Sequence, residues 1–215
     1  MLNEVAILGL ATGAVEIALS LLAYRYYRVL KEDWLKLFSI GVLILAISHI
    51  ICKFWGHGIM GYPKSYALGV PFKTIGLLIV IYSVLKGVRF RKADLVTLIV
   101  TPIALFFWFG TWYALIILDT PKTLFFTLGH LLYLLGTTWF VALLLLREYE
   151  VSGDPGALAF SLGFFVYGLA TFINMITVAM GMTMSMTAMS SIALITRATG
   201  VAIMLLGFLL VELFS

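Results

Sequence analysis

Residues 93–117 read ADLVTLIVTPIALFFWFGTWYALII, in which Asp94 is the one charged side chain and the 23 residues after it carry no charge at all. At 1.5 Å per residue such a run makes a helix of about 37 Å, longer than the roughly 30 Å hydrocarbon core of a bilayer. The hydrophobicity is continuous, whereas a barrel strand would be shorter and would alternate. The stretch therefore reads as a transmembrane helix. On one side it is bounded by Lys86, Arg89, Arg91 and Lys92, and on the other by the turn Asp119-Thr120-Pro121. The same reading, applied outward in both directions, gives seven spans: 3–29, 33–55, 67–87, 93–117, 122–147, 155–180 and 188–214. The first contains Glu4, has no basic leading region and is too long for a cleaved signal.

Composition points the same way. Of the 215 residues 63% are hydrophobic and 11% charged, against about a quarter charged in a soluble domain, and the mean hydropathy is +1.12. Cys52 is the one cysteine, which excludes an intramolecular disulfide framework and any Cys-cluster metal site. The net charge of +4 does not imply a nucleic-acid partner, because the basic residues sit in short loops. Arg25, Arg28, Lys31, Lys36, Lys86, Arg89, Arg91, Lys92 and Arg147 collect on one side, and Lys53, Lys64 and Lys122 on the other. The positive-inside rule makes the first side cytoplasmic. The expectation is a multi-pass protein of the cell membrane, amino end outside, carboxyl end cytoplasmic, with no output domain after Ser215.

The chain also repeats itself. At an offset of 122, FSIG at 38–41 overlays FSLG at 160–163, and Arg25-Tyr26-Tyr27 overlays Arg147-Glu148-Tyr149. At an offset of 124, Lys73-Thr74-Ile75-Gly76 overlays Arg197-Ala198-Thr199-Gly200. The matches fall on spans 1/5, 2/6 and 3/7. One membrane domain, 1–215, then divides into a unit at 1–90, a linker helix at 91–120 and a unit at 121–215. An even number of crossings separates equivalent spans, so this is a parallel repeat about an axis along the membrane normal. A seven-helix 3+1+3 plan with an outside amino end resembles the transporter–opsin–receptor superfamily, which includes SWEET and PQ-loop transporters, KDEL-type receptors and microbial rhodopsins. The resemblance implies a seven-helix bundle that transports or senses a ligand. Two departures are plain: no Pro-Gln pair occurs, and no lysine follows Lys122. A retinal Schiff base is thereby excluded, since Arg197 cannot form one.

Ionisable residues inside a span usually face a bundle interior, a cavity or a partner. Lys73 on span 3 and Arg197 on span 7 lie in the outer half and are equivalent under the repeat. His49 on span 2 and His130 on span 5 reach similar depth. Asn174 on span 6 and Glu16 near the middle of span 1 complete the set. Two facing cations repel unless an anion lies between them. An arginine fork beside a lysine point charge suits a carboxylate or phosphate. This predicts a small anionic ligand bound by Lys73, Arg197, His49, His130 and Asn174, with Glu16 as proton-coupling group or counter-ion. The alternative is that both cations snorkel to the outer headgroups. Glu16 could equally be a protonated packing group hydrogen-bonded to a neighbouring helix.

Two metal readings stay open beside it. His49 and His130 supply the minimum for bis-histidine ligation of a b-type haem between helices. Met180, Met182, Met184 and Met186, with His57 and Met60, offer soft donors for Cu(I); if the stretch is helical, Met175, Met182, Met186 and Met189 form a packing stripe instead. The run Phe106-Phe107-Trp108-Phe109 with Trp112 and Tyr113 reads as an interfacial anchor, and Gly153-Asp154-Pro155 as a turn and helix start. There is no HExxH, no Gly-x-Ser-x-Gly and no second buried carboxylate beside Glu16, so no enzyme and no obligatory cofactor are expected. The expected partners are the lipid bilayer and a small anionic ligand. Transport is the first reading. A sensing receptor or an accessory subunit, which would require a second copy or a membrane partner, is the second.

Overall fold

The computed structural model describes residues 4–52, 64–120, 124–179 and 186–214. Among them every regular element is helical: α1 (Glu4–Leu30), α2 (Asp33–Ile50), α3 (Lys64–Gly87), α4 (Ala93–Trp112), α5 (Leu124–Gly129), α6 (Gly136–Ser152), α7 (Pro155–Ala179) and α8 (Met186–Phe214). The α4 helix runs on through a wide π turn at Tyr113–Ile117, and a second π turn, His130–Leu135, joins α5 to α6. The α5–α6 pair is thus one continuous span, and among the described residues seven helices are long and apolar enough to cross a membrane. Over the described residues the expected segments match these within a few residues, except that the fifth continues past Arg147 to Ser152; the expected bounds at 3, 55, 122 and 180 lie outside the described residues. Its last turns carry Arg147, Glu148 and Glu150, which a helix leaving an apolar layer accommodates without cost.

Local chemistry sets the ends. Lys31, Arg89 and Asp119 take positive φ at the turns after α1, α3 and the α4 extension. Gly153, at φ +70°, closes α6 by donating its N–H to the Tyr149 carbonyl. The Asp154 carboxylate then accepts from the Gly156 N–H at 2.9 Å, with Pro155 at the first helical position, where a missing N–H costs nothing. The turn expected at 153–155 is the one observed.

The seven spans pack in chain order, and α1 closes the ring against α8. Each presents large apolar side chains outward, as a bundle does when its surroundings are apolar. α4 is the most peripheral, with only 22% of its apolar window buried. Small residues set the closest crossings. A Cβ on Gly76 would stand 2.9 Å from the Gly41 carbonyl, and one on Gly41 would meet Val80 at 2.8 Å. Between α7 and α8, a Cβ on Gly200 would stand 2.7 Å from the Gly163 carbonyl, and one on Gly163 would meet Met204 at 2.5 Å. Serines join the neighbouring pairs: Ser20 donates to the Ser39 carbonyl at 2.9 Å, and Ser161 to the Ala142 carbonyl at 2.7 Å.

The interior therefore depends on backbone contact at four glycines. Gly200→Val should destabilise the bundle by about 1–3 kcal/mol, the usual cost of forcing atoms into a packed interior. Gly110→Ala, whose Cβ would make an ordinary 3.4 Å contact, should leave the thermal unfolding midpoint near wild type. Thermal unfolding in detergent compares the two.

Candidate functional site

Four of the site's side chains stand at one height on four different spans. Counted from Leu30 of α1, Asp33 of α2, Gly87 of α3 and Phe214 of α8, Glu16, His49, Lys73 and Arg197 stand 14 to 17 residues in, roughly 21–25 Å along a helix. All four are buried: Glu16 and His49 are 1% exposed, Arg197 4% and Lys73 5%. Headgroup snorkelling requires the cationic tips to be exposed, so the burial of both corrects that alternative. Their polar atoms instead face inward, in two chains of hydrogen bonds.

In the first chain, Arg197 Nη1 donates to His49 Nε2 at 3.0 Å, and His49 Nδ1 donates to Glu16 Oε2 at 2.7 Å. The direction follows from what each group can do. A guanidinium has no acceptor, so His49 Nε2 must offer its lone pair and the ring proton must sit on Nδ1. His49 is therefore neutral here, and its contact with Glu16 is a hydrogen bond rather than an ion pair. The guanidinium also lies over the Tyr167 ring, 5.2 Å from its centroid.

The second chain starts at the other cation. Lys73 Nζ donates to the Tyr66 hydroxyl at 3.3 Å and lies 4.7 Å from the centroid of the same ring. The Tyr66 hydroxyl donates to His130 Nε2 at 2.7 Å, and His130 Nδ1 donates to the Phe126 carbonyl at 2.8 Å. A carbonyl only accepts, so this ring also carries its proton on Nδ1. Phe126 stacks on His130 at 4.0 Å and Phe107 meets it edge-on at 5.0 Å. His130 opens the π turn of the fifth span, and such wide turns recur at functional sites because they re-aim a side chain. Each chain has the same plan: a buried cation over a tyrosine ring, donating toward a neutral histidine either directly or through that tyrosine.

The two chains share one electrostatic environment. Both cations act on the Glu16 carboxylate, and both act on His130. Glu16 is the one buried carboxylate among the described residues. Two cations thus face one anion, and two polar atoms in this cluster are buried without a hydrogen-bond partner: Glu16 Oε1 and Arg197 Nε.

Five of the six residues expected from sequence are members of these chains. Asn174 is not: it lies half-buried on α7, seven residues beyond Tyr167. The bis-histidine haem reading does not fit, because both ring nitrogens of His49 and of His130 are held by protein partners. The copper reading falls outside the described residues, on Met180, Met182, Met184, His57 and Met60, while Met186 is the first residue of α8. Among the described residues no group of three or more His, Cys, Asp and Glu could hold a metal ion. The aromatic run at 106–109 needs a correction at one position. Phe107 is fully buried against His130 and Tyr133, so it belongs to the interior rather than to an interfacial belt.

Sequence reasoning missed Tyr66, Tyr167 and Phe107. Tyr66 could have been found, since it precedes Lys73 by seven residues, two helical turns on the same face. No family model, curated protein or solved structure matches the chain.

The relay requires a side chain at position 49 that accepts from Arg197 and donates to Glu16. His49→Leu leaves a guanidinium N–H and a carboxylate oxygen buried without a partner and should destabilise by about 2–6 kcal/mol, about 1–3 for each. His49→Gln, which carries both a donor and an acceptor, should recover part of that in chemical unfolding. Ring 15N NMR of the wild type should show the Nδ1–H tautomer for both His49 and His130.

Proposed function

We propose that this chain is a transporter of the cell membrane that binds a small carboxylate or phosphate anion between Lys73 and Arg197 in the outer half of the bundle. The observation that carries the reading is the buried imbalance of two cations against one carboxylate, with Arg197 Nε left over as a donor. An uncompensated buried charge is costly. A small anion removes the imbalance and satisfies the free guanidinium N–H in the geometry arginine suits best. Glu16 serves as counter-ion to Arg197 through His49, and as the group that can take a proton when the anion load changes.

The parallel repeat is part of this reading. Its support is that equivalent positions make equivalent contacts. Gly41 against Gly76 corresponds to Gly163 against Gly200, Val80 to Met204, and the Ser20–Ser39 bond to the Ala142–Ser161 bond, at the same offsets of 122 and 124 that relate Lys73 to Arg197. A site at the interface of two like-oriented units is where repeat-built transporters hold their substrates. The lysines and arginines at one end of the bundle make that end cytoplasmic, which leaves Lys73 and Arg197 nearer the outside.

Native mass spectrometry of the gently solubilised protein tests the proposal. The wild type should carry a low-mass anionic adduct. Arg197→Ala should lose it, and Lys73→Met should weaken it roughly 10- to 100-fold, the worth of one charge-assisted hydrogen bond. A bare wild-type chain, or an adduct indifferent to both substitutions, would contradict the reading.

A further inference from the structure

Two separate spaces lie on the basic side of Glu16. Beside Glu16 is a cavity of about 20 Å³, lined also by Val42, Leu77, Phe164, Tyr167 and Val201. Its exposed walls are apolar, so although it has room for about one water molecule it is dry at rest. Glu16 Oε2 is taken by His49, whereas Oε1 has no partner. At the basic end lies a larger pocket of about 250 Å³, lined by Tyr26, Trp34, Val84, Leu145, Phe160 and Phe208 among others.

Phe38 lines both spaces. It is fully buried and meets Phe160 edge-on at 5.7 Å and Phe208 at 6.3 Å, while Phe160 and Phe208 meet each other at 4.9 Å. Phe208 is pinned from the other side: Tyr26 stacks on its ring at 5.1 Å and donates its hydroxyl to the Phe208 carbonyl at 2.8 Å. Phe38 and Phe160 occupy the same place in the two FSxG matches. Phe38, held in place by Phe160 and Phe208, stands between the two spaces as an apolar barrier, of the kind that gates by excluding water.

We infer that the basic-end pocket, the Phe38–Phe160–Phe208 plug and the cavity at Glu16 form one gated route by which a proton reaches Glu16 Oε1. The inference rests on the anion-transport reading and adds its coupling ion. When Phe38 turns aside, water fills the small cavity. A hydronium O–H bond breaks, an O–H bond forms on Glu16 Oε1, and water is left behind; nothing is oxidised or reduced. The groups that face Glu16 are His49 from α2, Lys73 from α3, Tyr167 from α7 and Arg197 from α8. Lys73 and Arg197 already hold their protons, and His49 Nε2 is committed to Arg197. The free carboxylate oxygen is therefore the acceptor.

Protonation cancels the one negative charge in the cluster and so tightens the hold of Lys73 and Arg197 on an anion. By linkage, a bound anion favours protonation to the same degree. Proton and anion then load together, which makes the transport a symport.

Time-resolved infrared spectroscopy of the protein reconstituted in phosphatidylcholine vesicles, after a downward pH jump, tests the route. A protonated-carboxyl C=O band should appear in the wild type and be missing in Glu16→Gln. In Phe38→Ala, and in the milder Phe160→Leu, it should appear several-fold faster; size-exclusion profiles identify a variant that has not folded. A wild type without the band overturns the inference, as does a rise time that folded plug variants leave unchanged. The two readings fail separately. An Arg197-dependent anion adduct with no plug effect removes the route and keeps the anion, whereas a plug-dependent Glu16 band in a protein without any adduct does the reverse.

Discussion

Lys73 and Arg197 are buried inside an apolar bundle in which Glu16 is the one buried carboxylate among the described residues, and the other features of the structure follow from that. A charge held away from water needs a partner, a hydrogen-bond network or a ligand. Each cation here has a tyrosine ring beneath it and a directed chain of donors ahead of it. Neither chain removes the excess charge. His49 and His130 are neutral relays, which spread polarity without adding a negative group. The excess is the feature that a function has to explain, and a small anion explains it with the fewest further assumptions.

The fold serves this cluster. Backbone-to-backbone contact at Gly41, Gly76, Gly163 and Gly200 draws α2 onto α3 and α7 onto α8, and closure of α1 against α8 brings Glu16 toward Arg197. The π turn at His130–Leu135 starts at the residue that ends the second chain. Toward the basic end the interior is mostly apolar, and it holds the small cavity at Glu16 and the larger pocket beyond Phe38. The asymmetry between a polar upper half and a plugged, vestibuled lower half gives the bundle two chemically different ends.

Much of this was legible in the sequence, for physical reasons. Apolar runs of membrane-spanning length are set by bilayer thickness, so the seven spans could be read directly. The cost of burying a charge made Glu16, Lys73, Arg197 and His49 conspicuous. Depth along a helix, however, gives height and not direction. His49 and His130 sit at similar heights, which suggested haem ligation, yet His49 turns toward Glu16 and Arg197 while His130 turns toward Tyr66. Tyr66, Tyr167 and Phe107 were hidden because aromatic residues are common in membrane helices for reasons of anchoring alone. The wide turn at His130 carries no local signature: Gly129 and Gly136 bracket it, but glycine is frequent in such helices. The closely matched glycine crossings were visible only as the short matches FSIG/FSLG and Lys73-Thr74-Ile75-Gly76/Arg197-Ala198-Thr199-Gly200.

Thermal unfolding of the purified protein at constant ionic strength, with the bulky anion gluconate replaced stepwise by formate or inorganic phosphate, asks whether the folded bundle holds a small anion between Lys73 and Arg197. A ligand that binds only the folded state stabilises it in proportion to the logarithm of its concentration above the dissociation constant. The account predicts a rise in the unfolding midpoint with at least one of the small anions, absent in Arg197→Ala and reduced in Lys73→Met. A midpoint that is the same in all three anions would contradict it, and so would one that shifts equally in wild type and both variants.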